Sequence, residues 1–292
     1  MHTPLQQDIQ QFYDDSSRLW EETWGEHMHH GYYGRNGTHK LPRHQAQVAL
    51  MEELLRFAGL AEPLEPSARS PQRILDAGCG IGGSTLFLAN RFGATAVGLT
   101  LSPVQAARAR ERAATAGLGD LVRFEVADAQ ETDLAENSVD LVWSLESGEH
   151  MPDKAAFLEE CYRVLKPGGK LIFATWCHRP TASLAGPLTA DERAHLQQIY
   201  DVYYLPYVLS LPRYGEIARS CGFEQLRLED WSAAVAPFWD ETIASAIDPA
   251  VLLGILRSGV KTVRGALALG LMRSGYQRGL VRFGVLCGIK PI

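Results

Sequence analysis

The spacing of apolar and polar residues divides the chain into short strands and longer helices from about residue 73 onward. Apolar runs rich in β-branched residues alternate with segments whose apolar residues recur every three or four positions. This alternation predicts an α/β fold with a mostly parallel, doubly wound, seven-stranded sheet. The predicted strands are RILDAG, TAVGLTL, VRFEVADA, VDLVWSLE and KLIFATW, then EQLRLEDW and LVRFGVLCG, with KPGG (166–169) as a turn before the fifth strand.

Segments on either side of this pattern suggest a division of the chain. An aromatic-rich start leads into a helical pattern from Arg43 to Ala58, and a Pro/Ser-rich linker, EPLEPSARSPQ, follows at 62–72. A helical block between the two closing strands would lie at the carboxyl edge of the sheet, where it could cover a ligand crevice. We therefore predict an N-terminal helical flap at 1–61, a core at 73–231, a helical lid insertion at 232–279 and a final core strand at 280–292.

Composition narrows the class of protein. The five cysteines are scattered and have no CxxC spacing, which argues against a disulfide framework or a zinc knuckle and favours a reducing compartment. The first residues have neither the apolar run of a signal peptide nor the character of a transit peptide. No window of about 18 uninterrupted apolar residues exists, as a membrane span would need. We expect a cytoplasmic enzyme without a signal or transit peptide.

The charge is unevenly distributed. The net charge is −6, yet residues 251–292 contain seven Lys or Arg and no Asp or Glu. An acidic body without basic-aromatic motifs argues against nucleic-acid binding. Arg257, Lys261 and Arg264 would form one basic stripe on a helix. The stripe is either the solvated face of a lid helix or a face that docks on anionic membrane, which would make the protein peripherally membrane-associated.

A glycine-rich loop, ILDAGCGIGGS at 74–84, joins the first strand to the first helix of the core. Gly78, Gly80 and Gly82 allow a tight turn and close approach of the backbone to a ligand. The loop also satisfies G-x-G-x-x-G, but a dinucleotide site expects an acid at the end of the second strand, where GLTLSPVQ has none. A glycine turn without any ligand is the third interpretation.

Two acids favour a methyl donor over a dinucleotide. Asp76 precedes the glycines, and Asp128 with Ala129 follows the third strand; this arrangement resembles S-adenosylmethionine-dependent methyltransferases. In that interpretation the glycine loop faces the methionine moiety, polar groups after the second strand bind the ribose, and Asp128 binds the adenine. The predicted cofactor-binding residues are Asp76, Gly78, Gly80, Gly82, Thr100, Leu101, Ser102, Gln105, Asp128, Ala129, Ser144 and Tyr13.

The resemblance extends beyond the cofactor loop. WGEHMHHGYY, LDAGCGIGGS, GLTLSPVQAARA, DLVWSLESGEHMPDK, TWCHRP, WS-x5-PFW and RSG-x-KT-x-RGAL together resemble the γ-tocopherol C-methyltransferases of cyanobacteria and chloroplasts. The resemblance implies a Rossmann-like class I methyltransferase fold, S-adenosyl-L-methionine as methyl donor and a lipophilic chromanol as acceptor. It implies methylation of the ring carbon ortho to the phenol, from γ- to α-tocopherol and from δ- to β-tocopherol. Relatives that methylate alkaloid nitrogens share the cofactor motifs, so N- or O-methylation of another amphiphilic aromatic is the alternative.

SLESGEHM, at 144–151, places titratable groups at the end of the fourth strand. Glu146, Glu149 and His150 have the spacing of one helical turn and are candidates for activating a phenol as general base. Glu149 and His150 could instead brace the next helix, and the trio could hold a divalent metal, which turnover in EDTA would test. His178, after the fifth strand, is a fourth catalytic candidate or a structural histidine.

A histidine cluster precedes the core. HMHH (27–30) does not match the helical spacing of HExxH, so we predict no metal site there. Together with the nearby aromatics it would form a flap over the cofactor and acceptor, or simply pack on the core. Two other functional classes remain: a non-catalytic cofactor-binding or membrane-adapter protein, and a hydride-transfer enzyme.

Overall fold

The computed structural model describes residues 3–60, 71–246 and 260–292, and these contain one seven-stranded sheet flanked by helices. The strands are β1 (Arg73–Ala77), β2 (Thr95–Thr100), β3 (Val122–Val126), β4 (Val139–Leu145), β5 (Leu165–His178), β6 (Glu224–Asp230) and β7 (Val281–Ile289). The helices are α1 (Pro4–Trp24), α2 (Arg43–Phe57), α3 (Gly83–Phe92), α4 (Pro103–Thr115), α5 (Lys154–Val164), α6 (Ala190–Tyr203), α7 (Leu211–Ser220), α8 (Ser232–Val235), α9 (Pro237–Ala246) and α10 (Val260–Gln277), with a 3₁₀ turn at Gly148–His150.

The strand order is β3-β2-β1-β4-β5-β7-β6, and β7 runs antiparallel to both its neighbours. The first five strands pair in parallel, and the order of the chain reverses between β1 and β4. Asp76 of β1 pairs with Gly98 on one side and Trp143 on the other. The ends of β1, β2 and β4 therefore open on one crevice, where ligands bind in such sheets. This confirms the predicted α/β fold.

Local sequence explains where the helices around this crevice begin. Ser102 ends the polar tip of β2, and its Oγ accepts a hydrogen bond of 3.0 Å from the backbone N–H of Gln105, which caps α4. Asp153 caps α5 by accepting from the N–H groups of Ala155 and Ala156 at 2.9 and 3.0 Å. Each cap satisfies amide groups that have no partner within the helix.

The KPGG segment differs from the predicted turn, since it lies within β5. Val139 pairs with Leu165, but the next pair joins Leu141 to Lys170, so four residues of β5 form an irregularity opposite one residue of β4. Gly168, with φ of 79°, donates its N–H to the carbonyl of Lys290 at 2.8 Å. The segment is a bulge held by the end of β7, because β7 supplies the hydrogen bonds that β4 does not.

Apolar side chains form a layer on each face of the sheet. One layer joins α2 and α3 to the sheet and includes Leu50, Leu54 and Trp143. The other lies under α5 and α7 and includes Phe157 and Tyr214. These rigid layers position the strand ends that carry the polar groups of the crevice.

The cover over the crevice is assembled from three parts of the chain. The first is α1, the second is α6, and the third is α9, which lies with α8 and α10 between β6 and β7 in the chain. His195 of α6 contacts the carbonyl of Leu271 in α10 through Nε2 at 2.9 Å. Because α6 falls within the predicted core at 73–231, the cover draws on more of the chain than the predicted flap and lid.

Two predictions fall largely outside the described residues. Positions 61–70 of the predicted linker lie there, and so do Arg257 and the side chains of Lys261 and Arg264 in the predicted basic stripe. Among the helices that the structure does describe, none is long and apolar enough to cross a membrane.

Candidate active site

Two adjoining cavities occupy the crevice. The first, of about 840 Å³ including its open mouth, lies over the glycine loop and the end of β2. The second, of about 570 Å³, lies beside it under α1, β5 and α9. Five residues line both cavities, so the two spaces meet there: Tyr13, Met28, His29, Glu146 and His150.

The glycine loop forms the floor of the first cavity. A Cβ on Gly78, where φ is 95°, would lie 2.2 Å from the Cβ of Ser147, so only glycine fits. A Cβ on Gly80 would meet only Gln105 Nε2, at 3.9 Å, which shows open space on that side of the backbone. Gly82, with φ of 84°, packs against Phe124 and does not line the cavity. The backbone at Gly78 and Gly80 therefore borders the first cavity, whereas that at Gly82 does not.

Asp76 anchors the loop from the end of β1. Its Oδ2 accepts a hydrogen bond of 2.6 Å from Thr85 Oγ1, which ties the strand to the first turn of α3. Burial raises the pKa of Asp76 to about 7, although the bonds from Thr85 oppose this effect. A carboxylate held in this way would favour a cationic group of a ligand in the first cavity.

Thr100, Ser102 and Gln105 lie together at the end of β2 and line the first cavity, as does Leu101. Thr100 Oγ1 donates to Gln105 Oε1 at 2.7 Å. Ser102 Oγ donates to a carboxylate oxygen of Asp14 at 2.5 Å, so α1 brings to this strand end the acid that the local sequence lacks.

Asp128 and Ala129, predicted to bind adenine, do not line the first cavity. Asp128 Oδ2 instead accepts from Gln6 Nε2 of α1 at 2.5 Å. Ser144 also lies behind the wall, where its Oγ is 2.8 Å from Ser147 Oγ. Sequence spacing placed these residues near the strand ends but did not reveal that α1 and Ser147 cover them.

Glu146 lies where the two cavities meet, but its carboxylate is already occupied. Its oxygens accept from the backbone N–H of His30 at 2.6 Å, from His30 Nδ1 at 2.7 Å and from Trp176 Nε1 at 3.0 Å. Burial alone would raise the pKa of Glu146, but the charge and hydrogen bonds of His30 lower it overall. Its φ of 52° marks a strained backbone, which these three bonds stabilise. Glu146 is thus suited to positioning His30 and Trp176.

Glu149 lines the second cavity only. Its Oε2 accepts a hydrogen bond of 2.7 Å from Thr175 Oγ1 of β5. Burial, and then repulsion from Glu146, raises the pKa of Glu149 to about 8. A carboxyl group with a pKa near the working pH is suited to accept a proton from a substrate.

His150 joins the 3₁₀ turn to α1. Its Nε2 lies 2.8 Å from the hydroxyl oxygen of Tyr13, and the two rings pack edge to face. Burial, and then the charge of Lys154, lowers the pKa of His150 to about 3, so the imidazole is neutral. Burial also raises the pKa of Tyr13, whose hydroxyl therefore donates to the imidazole.

The fourth catalytic candidate, His178, lies at the end of β5 but lines neither cavity. It is half-buried, and its Nδ1 donates to the carbonyl of Arg179 at 2.7 Å. Burial lowers its pKa. The structure therefore separates His178 from the other three candidates.

Aromatic side chains line most of the second cavity. The wall includes Phe12 from α1, Trp176 from β5, Tyr203 from α6, and Phe238 and Trp239 from α9. His30 packs among them, with its ring 4.7 Å from that of Phe238 and 5.0 Å from that of Trp239. The WS-x5-PFW motif contains Phe238 and Trp239, so the sequence offered a sign of these two residues. No motif in the sequence indicated that Phe12 or Tyr203 would line the cavity.

Lys154 is a further residue that sequence reasoning missed. This side chain is 2% exposed, and its Nζ donates to the carbonyls of Gly148, Glu149 and Met151 at 2.9, 2.8 and 2.6 Å. Burial lowers its pKa to about 7, although Glu149 opposes this effect. Lys154 holds the 3₁₀ turn that carries Glu149 and His150.

The comparison with protein families identifies the core. A family model described as a methyltransferase domain matches residues 75–173, which run from β1 into β5. A solved geranyl diphosphate C-methyltransferase from Streptomyces coelicolor A3(2), in complex with Mg²⁺, geranyl diphosphate and S-adenosyl-L-homocysteine, has a TM-score of 0.75 and 22% identity over 99% of this chain and 98% of that chain. That similarity concerns the fold alone.

Curated relatives match nearly the whole chain. A rice (Oryza sativa subsp. japonica) protein described as a probable chloroplastic tocopherol O-methyltransferase is 46% identical over 98% of this chain and 79% of its own length. The chloroplastic tocopherol O-methyltransferase of Arabidopsis thaliana is 43% identical over 99% of this chain and 83% of its own length.

Both relatives are chloroplastic, so the prediction of a cytoplasmic enzyme is wrong. That prediction rested on scattered cysteines and the residues near Met1, and neither feature distinguishes the cytoplasm from a plastid. With glycine-loop geometry, fold and relatives in agreement, this chain belongs to the tocopherol methyltransferase family and is an S-adenosylmethionine-dependent methyltransferase.

Proposed function

We propose that the enzyme transfers a methyl group to a ring carbon of a tocopherol, ortho to the phenol hydroxyl, and converts γ- to α-tocopherol and δ- to β-tocopherol. The observation that carries the proposal is the second cavity, an aromatic-walled space that meets the first cavity and contains one carboxyl group with a raised pKa. A flat chromanol ring fits such walls because aromatic rings stack edge to face or with an offset.

S-adenosylmethionine, bound in the first cavity, supplies the methyl group that is transferred. Gly78 and Gly80 would face its methionine moiety, and Thr100, Ser102 and Gln105 would contact its ribose, as in the sequence prediction. Asp76 would also attract its cationic end, and Leu101 would lie beside the ribose. The cavities meet at Tyr13, Met28, His29, Glu146 and His150, so these residues would surround the transferred methyl. Holding both reactants in line there supplies a large part of the rate, roughly 7–11 kcal/mol in favourable cases.

Glu149 is the residue that we assign as general base. The ortho carbon of a phenol becomes nucleophilic when the oxygen gives its proton to Glu149. After methyl transfer the methylated carbon loses its proton to water, and Glu149 returns its proton to the oxygen, which restores the aromatic phenol. With a pKa of about 8, Glu149 accepts a proton more readily than Glu146, whose pKa is lowered and whose oxygens already accept three hydrogen bonds. Thr175 fixes one oxygen of Glu149 and leaves the carboxyl group oriented at the second cavity.

The relatives are named as O-methyltransferases, so the position of the new methyl needs a direct test. Purified enzyme is incubated with γ-tocopherol and S-adenosylmethionine carrying a ¹³C-labelled methyl, and the product is analysed by NMR. The proposal expects an aryl methyl signal and a free phenol. A labelled methyl ether would instead establish O-methylation, and turnover only with unrelated amphiphilic amines or phenols would favour the alternative substrate class.

The prenyl-derived tail would leave the second cavity between α1 and α6. Phe12 lines the cavity and packs against Tyr204, whose ring centroid is 5.3 Å away and which is 37% exposed. Tyr207, also exposed, lies nearby in sequence. Tyr204→Glu should raise KM for γ-tocopherol presented in vesicles but leave KM for a tail-less chromanol unchanged. Equal effects on both acceptors would contradict this route.

A further inference from the structure

His27 lies in an arrangement that hydrogen bonding does not explain. The side chain is 4% exposed, its Nδ1 has no hydrogen-bond partner among the described residues, and its Nε2 is 3.6 Å from Glu26 Oε1, too long for a hydrogen bond. Buried polar groups without partners are uncommon because they lose their hydration and gain nothing in return. Nδ1 lies against the glycine loop, where a Cβ on Gly83 would be 2.6 Å from it, so Nε2, the nitrogen near Glu26, is the atom that could bind a ligand.

Two further donors lie next to this imidazole. Glu26 Oε1 is 2.7 Å from His44 Nε2, and the donor atoms of Glu26, His27 and His44 all lie within 4.8 Å of one another. In the described part of the chain, this is the group of three whose geometry could hold a metal ion. Glu146, Glu149 and His150 do not form such a group, because their ligand atoms do not all lie within 4.8 Å of one another.

We propose that Glu26, His27 and His44 bind one divalent cation of the Zn²⁺ class. Two imidazoles and one carboxylate, with a fourth position left to water, are a ligand set that Zn²⁺ favours. With metal–ligand bonds near 2.0–2.1 Å, tetrahedral ligands lie about 3.3 Å apart. The Glu26–His27 separation is already close to that value, and the Glu26–His44 contact has to open by about half an ångström. His44 is 58% exposed on its side chain, so it is free to make that movement.

Arg112 limits how tightly the site can hold a cation. Arg112 Nη2 contacts Glu26 Oε2 at 2.6 Å, which leaves Oε1 for the metal but reduces the negative charge available to it. We therefore expect micromolar rather than tighter affinity, and a preference over Mg²⁺ because imidazole is a poor ligand for that ion.

The site would connect the wall of the first cavity to α2. Glu26 and His27 line the first cavity, whereas His44 belongs to α2. Gln47, one turn further along α2, already donates to the carbonyls of His27 and His29 at 2.6 and 3.0 Å. A bound cation would add a link between the segment before Met28 and α2. Sequence spacing did not indicate it, because His44 is distant along the chain from HMHH.

The test uses the full chain without a histidine tag, stripped with EDTA and desalted. Equilibrium dialysis at micromolar ZnCl₂ should give one Zn²⁺ per wild-type chain and none for His44→Ala. His39→Ala removes another exposed histidine from the same region and should still bind one. Methyl transfer in EDTA should be equal in wild type and His44→Ala, which shows that the variant is folded.

Spectroscopy and competition complete the test. CoCl₂ should give the intense visible absorption of four-coordinate Co²⁺ with wild type and with His39→Ala, but not with His44→Ala. A hundredfold excess of MgCl₂ should not displace Zn²⁺. The proposal is overturned if the wild type binds no Zn²⁺, if His44→Ala binds it as well as the wild type does, or if Mg²⁺ displaces it.

Discussion

The two cavities of the active site are built in different ways. The first takes most of its floor from one continuous stretch, β1 with the loop into α3, and from the end of β2. The second takes its walls from α1, β5, α6 and α9, which lie far apart in the sequence. A donor common to many enzymes can be held by a local motif, whereas an acceptor particular to one enzyme is held by tertiary structure.

Removing the carboxyl group of Glu149 should have the largest effect. Glu149→Gln should lower kcat by about 10²–10⁴-fold, the usual contribution of a general base, with little change in affinity for S-adenosylmethionine. In the wild type kcat should rise with pH up to about 8, as Glu149 loses its proton. The assignment of Glu149 to the acceptor cavity alone would be contradicted if Glu149→Gln kept the wild-type kcat. It would also be contradicted if the affinity for S-adenosylmethionine fell as much as kcat.

Changing the glycine loop should affect the donor alone. Gly78→Ala has to relieve a 2.2 Å approach to Ser147 and an unfavourable φ, at a cost on the order of 1–3 kcal/mol. Affinity for S-adenosylmethionine, measured by calorimetry, should fall roughly tenfold to a hundredfold. Gly119→Ala is the matched control, since a Cβ there meets nothing within 4 Å. Unchanged donor affinity in Gly78→Ala would contradict the assignment of the loop.

Shortening Phe12 should affect the acceptor alone. Phe12→Ala removes part of the aromatic wall of the second cavity, and loss of an apolar contact of this kind is worth about 1–2 kcal/mol. KM for γ-tocopherol should rise roughly tenfold, with KM for S-adenosylmethionine unchanged. Because α1 also contacts the donor side, a parallel rise in both constants would show that the helix couples the cavities.

Lys154 tests whether the 3₁₀ turn needs its buried support. Lys154→Met leaves three carbonyls without a donor and should lower the free energy of unfolding by about 2–3 kcal/mol. The exposed pair of Lys166 with Asp140 gives the control, because Lys166→Met should cost at most about 1 kcal/mol. Denaturant unfolding measures both. If Lys154→Met lowers kcat more than it lowers the affinity for S-adenosylmethionine, the substitution acts through the 3₁₀ turn that carries Glu149 and His150.

A further prediction concerns stability and pH. The pKa of Glu149 is raised in the fold to about 8, so the protonated form is favoured there. Below the pKa of Glu149 in the unfolded chain, this residue is protonated in both states and costs no stability. As the pH rises toward 8, Glu149 ionises in the unfolded chain before it does in the folded protein, so the free energy of unfolding falls. Glu149→Gln should therefore match wild type in thermal unfolding near pH 4 and become progressively more stable than wild type up to pH 8. A constant difference across this range would contradict the raised pKa.

The sequence predicted the sheet and the donor cavity better than the acceptor cavity, for physical reasons. Strand periodicity and positive-φ glycines such as Gly78 are local properties, so they can be read without a structure. The covering of Asp128 by Gln6 and the occupation of Glu146 by His30 and Trp176 are contacts between distant segments. The support of the 3₁₀ turn by Lys154 is local in sequence, but no periodic pattern marks a lysine whose side chain is buried. Position at the strand end favoured Glu146 as the substrate contact, whereas the proposal of Glu149 as general base rests on contacts and burial that the sequence does not show.

Helix α1 touches both halves of the site, through Gln6 on Asp128, Asp14 on Ser102 and Tyr13 on His150. When S-adenosylmethionine or S-adenosylhomocysteine exchanges beneath α1, it disturbs the same helix that forms part of the wall of the acceptor cavity. The two substrates should therefore enter in a compulsory order, with the donor first and S-adenosylhomocysteine leaving last. Initial-rate patterns with S-adenosylhomocysteine as inhibitor would then be competitive against the donor and noncompetitive against the acceptor.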